Sequence, residues 1–164
     1  MGDKQYLIDI SRKEFKGDIL DISYEGANLI IQNVNEEYEK DFKTVKDINA
    51  ELGKFDTVLF FLSINKYGRK NLKRLLNNLK NNLNDEARIM IWDINYRRIS
   101  PFDTLKIKVI KKNNKIETLS ETFRFKIFSL NSKYVEKILF KNGYKILKLE
   151  DDGILYYIEA TYGG

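Results

Sequence analysis

The spacing of apolar residues changes several times along the chain, and each change predicts a structural element. Residues 56–64 and 87–94 are continuous apolar runs of strand length. Such runs are typical of parallel strands that are covered on both faces. Between these runs, leucines recur every three to four positions and predict an amphipathic helix, at Leu72, Leu75, Leu76, Leu79 and Leu83. Because crossovers between parallel strands are right-handed, a β-helix-β unit is expected here.

The pattern before residue 56 is less regular. Apolar positions in residues 4–16 have roughly helical spacing and precede Gly17, so this segment is predicted to be a short helix, with Tyr6, Leu7, Ile10 and Phe15 on its apolar side. The segments DILDI (18–22) and NLIIQNV (28–34) predict buried strands. EEYEKDF (36–42), which precedes KTVKDI, predicts a brief helix or turn.

After Pro101 the apolar period becomes two. LKIKVIKKNNKIETL alternates apolar and basic residues around an Asn-Asn turn, and FRFKIF alternates again, so residues 101–128 are predicted to form an antiparallel insertion. Residues 133–142 return to helical spacing, and Gly143 ends the predicted helix. Residues 144–162 predict a hairpin around an Asp-Asp-Gly turn. The order of elements therefore predicts an α/β domain with a mainly parallel sheet.

The composition is that of one folded domain covering residues 1–164. Hydrophobic residues make up 43% of the chain and charged residues 32%, with a single proline. No apolar run approaches the roughly 18 residues that a membrane span needs, and the N-terminal residues do not resemble a signal peptide. We therefore expect a cytoplasmic protein with no membrane partner.

The chain contains no cysteine and no histidine. This excludes thiol nucleophiles, disulfides, imidazole bases and a Ser-His-Asp triad, and a metal site would need oxygen ligands only. The net charge of +5 accompanies an excess of Asn, Ile and Lys that is typical of an AT-rich, bacterial-type genome. The charge alone is therefore weak evidence for an anionic partner.

Five segments together resemble the class I S-adenosylmethionine-dependent methyltransferases: ILDIS, VKDINAEL, FDTVLFFLS, LLNNLKNNLNDEARIMIWD and ILFKNGYKILKLEDDGILYYIEA. The resemblance implies a Rossmann-like sheet of seven strands, the last inserted antiparallel beside the fifth. It also implies S-adenosylmethionine as the cofactor, if any is bound. The candidate cofactor-binding residues are Asp21, Tyr24, Gly26, Asp47, Ile48 and Ser63. Of these, Asp47 matches the acid that faces the adenine in the family.

The chain departs from the family pattern where the methionine part of the cofactor would lie. The three glycine positions of the family turn fall on Ser23, Glu25 and Ala27, and Gly26 is out of register. The next predicted strand begins near Leu29, which leaves too little chain for a crossover helix. The first crossover helix is therefore predicted to be reduced or missing. Where the family has an acid for the ribose hydroxyls, this chain has Asn33 and Asn35.

Each of these signals has a structural alternative. Aspartates at positions 21, 47 and 56 could simply cap turns or strand ends. Trp92, Asp93 and Asn95 end the predicted fifth strand, where open α/β sheets bind substrates, but a lone tryptophan there is more often a core residue. The basic face of helix 66–83 and the lysines of residues 105–116 are also what solvated surfaces and edge strands carry.

Three hypotheses follow. The first is a methyltransferase-like pseudoenzyme with an eroded cofactor site, acting as a binding or structural module for an unknown small molecule or protein. The second is an active small methyltransferase with a rearranged cofactor loop that involves Tyr24 and Asp47. The third and weakest is a nucleic-acid-binding module that uses the basic helix and hairpin, with Tyr67 stacking on bases.

Overall fold

A computed structural model describes residues 4–22, 42–44, 52–95, 104–122 and 129–163. Within these residues lie nine strands and two α-helices. The strands are β1 (Lys4–Asp9), β2 (Ile19–Asp21), β3 (Phe42–Thr44), β4 (Phe55–Phe61), β5 (Leu83–Ile94), β6 (Thr104–Ile110), β7 (Ile116–Thr122), β8 (Tyr144–Asp151) and β9 (Leu155–Tyr162). The helices are α1 (Ile64–Leu79) and α2 (Ser132–Lys141). Neither described helix is long and apolar enough to cross a membrane.

The main sheet has six described strands in the order β3-β2-β4-β5-β9-β8. The pairs β3–β2, β2–β4 and β4–β5 are parallel, whereas β9 runs antiparallel to both β5 and β8. The predicted pairing of the two apolar runs is confirmed, with Phe60 opposite Ile91 and Phe61 opposite Trp92. The predicted C-terminal hairpin is confirmed as well. The sheet is therefore mainly parallel with an antiparallel pair at one end.

Both helices contribute to one hydrophobic cluster with the main sheet. The leucine stripe of α1 is buried at Leu72, Leu75, Leu76 and Leu79, as its spacing predicts. Leu83, the last residue of the predicted stripe, is instead the first residue of β5. Helix α2 adds Val135, Ile138 and Leu139 to the same cluster. Gly143, with a φ of 83°, follows α2 and ends it as predicted, because a left-handed backbone favours glycine. The cluster packs this face of the sheet.

A second, three-stranded sheet contributes to a separate hydrophobic cluster with the main sheet. Its order is β1-β6-β7, with β1 parallel to β6 and β6 antiparallel to β7. Alternate residues of β6 are fully buried, namely Leu105, Ile107 and Val109. They share this cluster with Leu59, Phe61, Met90 and Trp92 of the main sheet. Residues 104–122 thus contain the antiparallel pairing that their alternation predicts. FRFKIF lies outside the described residues, and the assignment of residues 101–128 as an insertion stays a prediction.

The predicted helix over residues 4–16 is wrong, because Lys4–Asp9 is strand β1. Within this segment Ile8 and Ile10 are buried, Tyr6 is half-buried and Leu7 is exposed. The apolar side therefore repeats every two residues, and Leu7 does not belong to it. A segment this short fits both periods, and pairing with β6, about a hundred residues further on, selects the strand.

The position of β3 bears on the predicted loss of the first crossover helix. That prediction, like the strand predicted for NLIIQNV, falls on residues outside those described. The next described strand beside β2 is β3, which starts at Phe42. Residues 22–41, which are 20 residues (42 − 21 − 1), therefore separate the two parallel strands. By length alone this connection suffices for a crossover, which needs about a dozen residues or more.

Candidate functional site

The carboxyl ends of the parallel strands meet at one edge of the main sheet, which is where open α/β sheets bind ligands. At this edge Asp21 ends β2, Ser63 follows β4, and Asp93 lies near the end of β5. All three side chains are fully buried. The polar groups at this edge therefore belong to the interior of the described structure.

Asp93 holds the start of helix α1. Its Oδ2 accepts a hydrogen bond from the Ile64 backbone N–H at 2.6 Å, and its Oδ1 accepts one from the Ile94 N–H at 2.7 Å. The Asn65 side-chain amide donates a third, longer bond of 3.3 Å. Burial raises the pKa of Asp93 to about 6, although these three donors favour the ionised form. The carboxylate caps α1 in place of Ser63, whose side chain makes no capping bond.

Asn65 joins α1 to the segment that precedes α2. Its Nδ2 donates to the backbone oxygens of Ile94 and Leu130 at 3.1 and 3.0 Å, and its Oδ1 accepts from the Leu130 N–H at 2.6 Å. One side-chain amide thus connects α1, the end of β5 and the segment before α2, and these hydrogen bonds fix the three segments relative to one another. Asp93 and Asn65 act here as positioning residues of the fold.

Asn95 forms a second link, between β5 and the C-terminal hairpin. Its Nδ2 donates to Asp151 Oδ1 at 2.9 Å, and its Oδ1 accepts from the Ser132 N–H at 3.0 Å. The Ser132 hydroxyl donates to the second oxygen of Asp151. The start of α2 and the β8–β9 turn are therefore held against the end of β5. Asn95 is predicted above at a substrate-binding edge, and in this structure its contacts are within the protein.

Two of the six candidate cofactor-binding residues are described. Asp21 and Ser63 both have 0% of their surface exposed. The Ser63 Oγ has no hydrogen-bond partner among the described residues. They lie at the same edge, since Asp21 is opposite Leu59 of β4, four positions before Ser63. Tyr24, Gly26, Asp47 and Ile48 lie outside the described residues, and their assignment stays a prediction.

An open groove lies beside the end of β5, on the side of the three-stranded sheet. Its volume is about 260 Å³, and its lining comes from β1, the loop after β1, β5 and the C-terminal hairpin. Trp92 and Tyr157 lie next to each other there, with ring centroids 4.7 Å apart. Trp92 is therefore a core residue, with 7% of its surface exposed, and it also lines the groove.

Asp9 and Lys13 are among the lining residues of this groove that were not predicted as site residues. Both belong to the segment predicted as a helix, so their place beside β5 and the C-terminal hairpin was not anticipated. The available signal was the alternation of Tyr6, Ile8 and Ile10, which indicates a strand. Asp9, between Ile8 and Ile10, then lies on the opposite face of that strand. Among the described residues, no group of acidic side chains is arranged to hold a metal ion.

The basic face of α1 is exposed at Arg69, Lys70, Lys73 and Arg74. Arg69 lies over the Tyr134 ring, with its guanidinium carbon 4.7 Å from the ring centroid. Tyr67, the predicted stacking residue, is half-buried and packs against the core. Nucleic-acid binding through this face stays a prediction, and Tyr67 adds little support to it.

No model of a protein family matches this sequence, and no curated protein matches it. Solved structures do resemble the fold. An S-adenosylmethionine-dependent methyltransferase from Clostridium acetobutylicum ATCC 824 has a TM-score of 0.57 and 14% identity, over 98% of this chain and 85% of that one. A putative S-adenosylmethionine-dependent methyltransferase from Listeria monocytogenes has a TM-score of 0.56 and 10% identity, over 90% and 92%.

A third similar structure contains a cofactor product. The glycopeptide N-methyltransferase MtfA, in complex with S-adenosyl-L-homocysteine, has a TM-score of 0.54 and 10% identity, over 92% of this chain and 84% of that one. At such identities the likeness establishes the fold and not the activity. Together with the strand order, it shows that this chain has the Rossmann-like fold of the class I S-adenosylmethionine-dependent methyltransferases.

Proposed function

We propose that this chain is a methyltransferase-like protein with an eroded cofactor site, which now acts as a binding module. The observation that carries the proposal is the complete burial of Asp21 and Ser63. A cofactor held as in the family needs accessible groups at the carboxyl ends of these strands. Here the two described candidates are interior residues.

The sequence of the family's glycine turn supports the same conclusion. A cofactor carboxylate in the family position would face Glu25, and bulk at Tyr24 replaces a bare backbone. Glycine is favoured in such turns because a backbone without Cβ lets a ligand approach closely. A like-charge pairing in a partly buried site is unfavourable unless a cation intervenes. These substitutions disfavour the cofactor independently of the burial at positions 21 and 63.

Calorimetric titration of the purified protein with S-adenosylmethionine and S-adenosylhomocysteine tests this proposal. We expect no saturable heat for either compound, and no S-adenosyl compound released when the protein is denatured and analysed by mass spectrometry. An active methyltransferase in the same buffer is the positive control. Saturable binding in the micromolar range, or a retained S-adenosyl compound, would overturn the proposal.

One observation favours the second candidate, an active small methyltransferase with a rearranged loop. The 20 residues between β2 and β3 are enough for the crossover that the sequence pattern predicts to be missing. Methyl transfer relies mainly on holding a nucleophile in line with the sulfonium, so the absence of histidine is no obstacle. Micromolar binding in the titration above would select this candidate.

A further inference from the structure

The groove beside β5 has an aromatic floor that already holds an ammonium group. The Lys13 Nζ lies 3.9 Å from the centroid of the Tyr157 ring, and that ring packs against Trp92. The Tyr157 hydroxyl donates to Glu159 at 2.9 Å. Cations bind over aromatic faces at such distances, and more strongly where water is partly excluded. Burial, followed by repulsion from Lys148, lowers the pKa of Lys13, so this ammonium group is partly desolvated.

The charge around the groove is opposite in sign to that of the chain. The chain carries a net charge of +5, yet four carboxylates and one lysine line the groove, a balance of 1 − 4 = −3 that becomes −2 when Lys148, the partner of Glu150, is counted. The acidic residues are Asp9, Glu150, Asp151 and Asp152. Glu150 is paired with Lys148 at 2.6 Å. The rim is thus a negative region on a basic protein.

Asp9 and Asp152 are held in place by neutral donors. Asp9 accepts from the Ser11 backbone N–H and hydroxyl at 2.9 and 2.6 Å, and these bonds lower the pKa of Asp9. Asp152 accepts from the backbone N–H groups of Ile154 and Leu155, both at 2.8 Å. Such bonds orient a carboxylate without cancelling its charge. The positive charge of Arg12 also lowers the pKa of Asp9, but it is the smallest of the causes. Both carboxylates therefore keep negative charge at the rim.

The remaining lining selects the kind of cation. Leu7 is 59% exposed and Leu155 lies nearby in the lining, so the groove offers apolar surface beside its charges. No acidic cluster with metal-binding geometry occurs in the described part of the chain. A volume of about 260 Å³ lies just below the range of about 300–1,000 Å³ that is usual for ligand sites. These features fit a small ligand with one or two ammonium groups and a hydrocarbon chain.

We propose that this groove binds a small aliphatic amine. Its ammonium group takes the place of the Lys13 ammonium group over the Tyr157 ring, beside the acidic rim of Asp9 and Asp152, and its hydrocarbon part contacts Leu7. The positive charge of Lys13 opposes the ligand. Neither Asp21 nor Ser63 lines the groove, so this proposal holds whether or not an S-adenosyl compound binds.

Trp92 is the single tryptophan of the chain, so its fluorescence reports directly on the groove. The probe is cadaverine at low ionic strength and neutral pH, and calorimetry of the same titration covers the case in which the emission is insensitive. We expect a saturable signal that weakens with added salt. Pentanediol, which has the same carbon chain without charge, and glutarate, which is an anion, should produce no saturable signal.

Matched variants separate the groove from general charge effects. Asp9→Asn and Asp152→Asn keep an acceptor oxygen for their local bonds, and each should weaken cadaverine binding about two- to five-fold. Asp85→Asn removes the same charge from an exposed position of β5 outside the groove lining and should leave binding unchanged. Lys13→Met should tighten binding.

Three results would overturn the proposal: no saturable cadaverine signal by fluorescence and calorimetry, equal binding of pentanediol, or equal weakening by Asp85→Asn and the two groove variants. None of these depends on the S-adenosylmethionine titration, so the two proposals fail independently.

Discussion

Replacing Asp93 by asparagine should change how the stability of the protein depends on pH. Asp93 is fully buried, and its pKa is raised from the ordinary value of 3.8 to about 6, with burial as the largest cause. Below pH 3.8 this carboxyl is protonated in both the folded and the unfolded chain. Between the two pKa values the unfolded chain loses the proton while the folded protein keeps it. Stability is therefore lost as the pH rises through this window.

The size of the effect follows from the two pKa values. The difference of 6 − 3.8 = 2.2, at about 1.4 kcal/mol for each pH unit, corresponds to about 3 kcal/mol. This loss is complete above pH 6, where both states are ionised. Asparagine has nearly the same shape, stays neutral at every pH and keeps one oxygen for the Ile64 or Ile94 N–H. Its amide nitrogen cannot accept the bond from the other N–H, a cost that does not change with pH. The variant therefore resembles the protonated wild-type protein only in that it does not titrate.

Urea unfolding followed by circular dichroism, at a series of pH values from about 3.5 to about 8, measures this prediction. The free energy of unfolding of Asp93→Asn, relative to the wild type, should rise by about 3 kcal/mol across the series. The exposed Asp85→Asn variant is the control and should show no such change. A difference that is flat, or that falls with pH, would show that Asp93 is not a buried carboxylate with a raised pKa.

Three smaller substitutions test other contacts. Gly17→Ala should lower the free energy of unfolding by about 2 kcal/mol or more, because Gly17 has a φ of 58° and a Cβ would lie 1.9 Å from Asp56 Oδ2. The melting temperature should fall accordingly, and an unchanged melting temperature would contradict this geometry. Tyr144→Phe should cost about 1 kcal/mol, since it removes a bond of 2.6 Å from the Tyr144 hydroxyl to the Leu76 carbonyl oxygen, and urea unfolding measures it. Ser63→Ala should be neutral or stabilising by about 1 kcal/mol in the same assay, because the buried Ser63 Oγ has no partner among the described residues; a clear loss would reveal one.

Strands β4, β5, β8 and β9 of the main sheet and the two described helices were predictable because their signals are local and strong. Strand β3 was not, because it starts at Phe42, the last residue of a segment predicted to be a brief helix or turn. Strands β4 and β5 are covered on both faces, so each has a continuous run of apolar residues. Helix α1 exposes one side, so its leucines keep helical spacing. The Asp-Asp-Gly turn predicts the C-terminal hairpin. In the structure Asp152 accepts hydrogen bonds there from the backbone N–H groups of Ile154 and Leu155.

The three-stranded sheet was only half predictable. The hairpin of β6 and β7 is a local pairing whose register follows from one short turn, in which Asn114 takes a φ of 56°. The pairing of β1 with β6 joins Lys4 to Leu105 across about a hundred residues. No local pattern encodes such a partner, and a six-residue segment with Leu7 exposed can be mistaken for a helix.

The candidate site was predictable in place but not in role. The carboxyl edge of the strands does concentrate polar residues, as parallel topology implies. Which of them face solvent depends on how neighbouring segments pack, and spacing contains no such information. From its sequence position alone, Asp93 could be a substrate-binding residue or a helix cap. The structure assigns it to the cap, because its two oxygens accept from the Ile64 and Ile94 N–H groups.

The cofactor edge and the groove beside Trp92 therefore differ in how much a substitution at their polar residues would affect stability. Asp21 and Ser63 are part of the core, so altering them risks stability as well as any binding role. Asp9 and Asp152 are exposed and hold only local bonds. Their charges could be gained or lost at little cost to the fold, because surface substitutions usually change stability by no more than about 0.5 kcal/mol. If the cofactor edge has closed, the groove beside Trp92 is a part of the described surface where a new ligand could be accommodated without rebuilding the sheet.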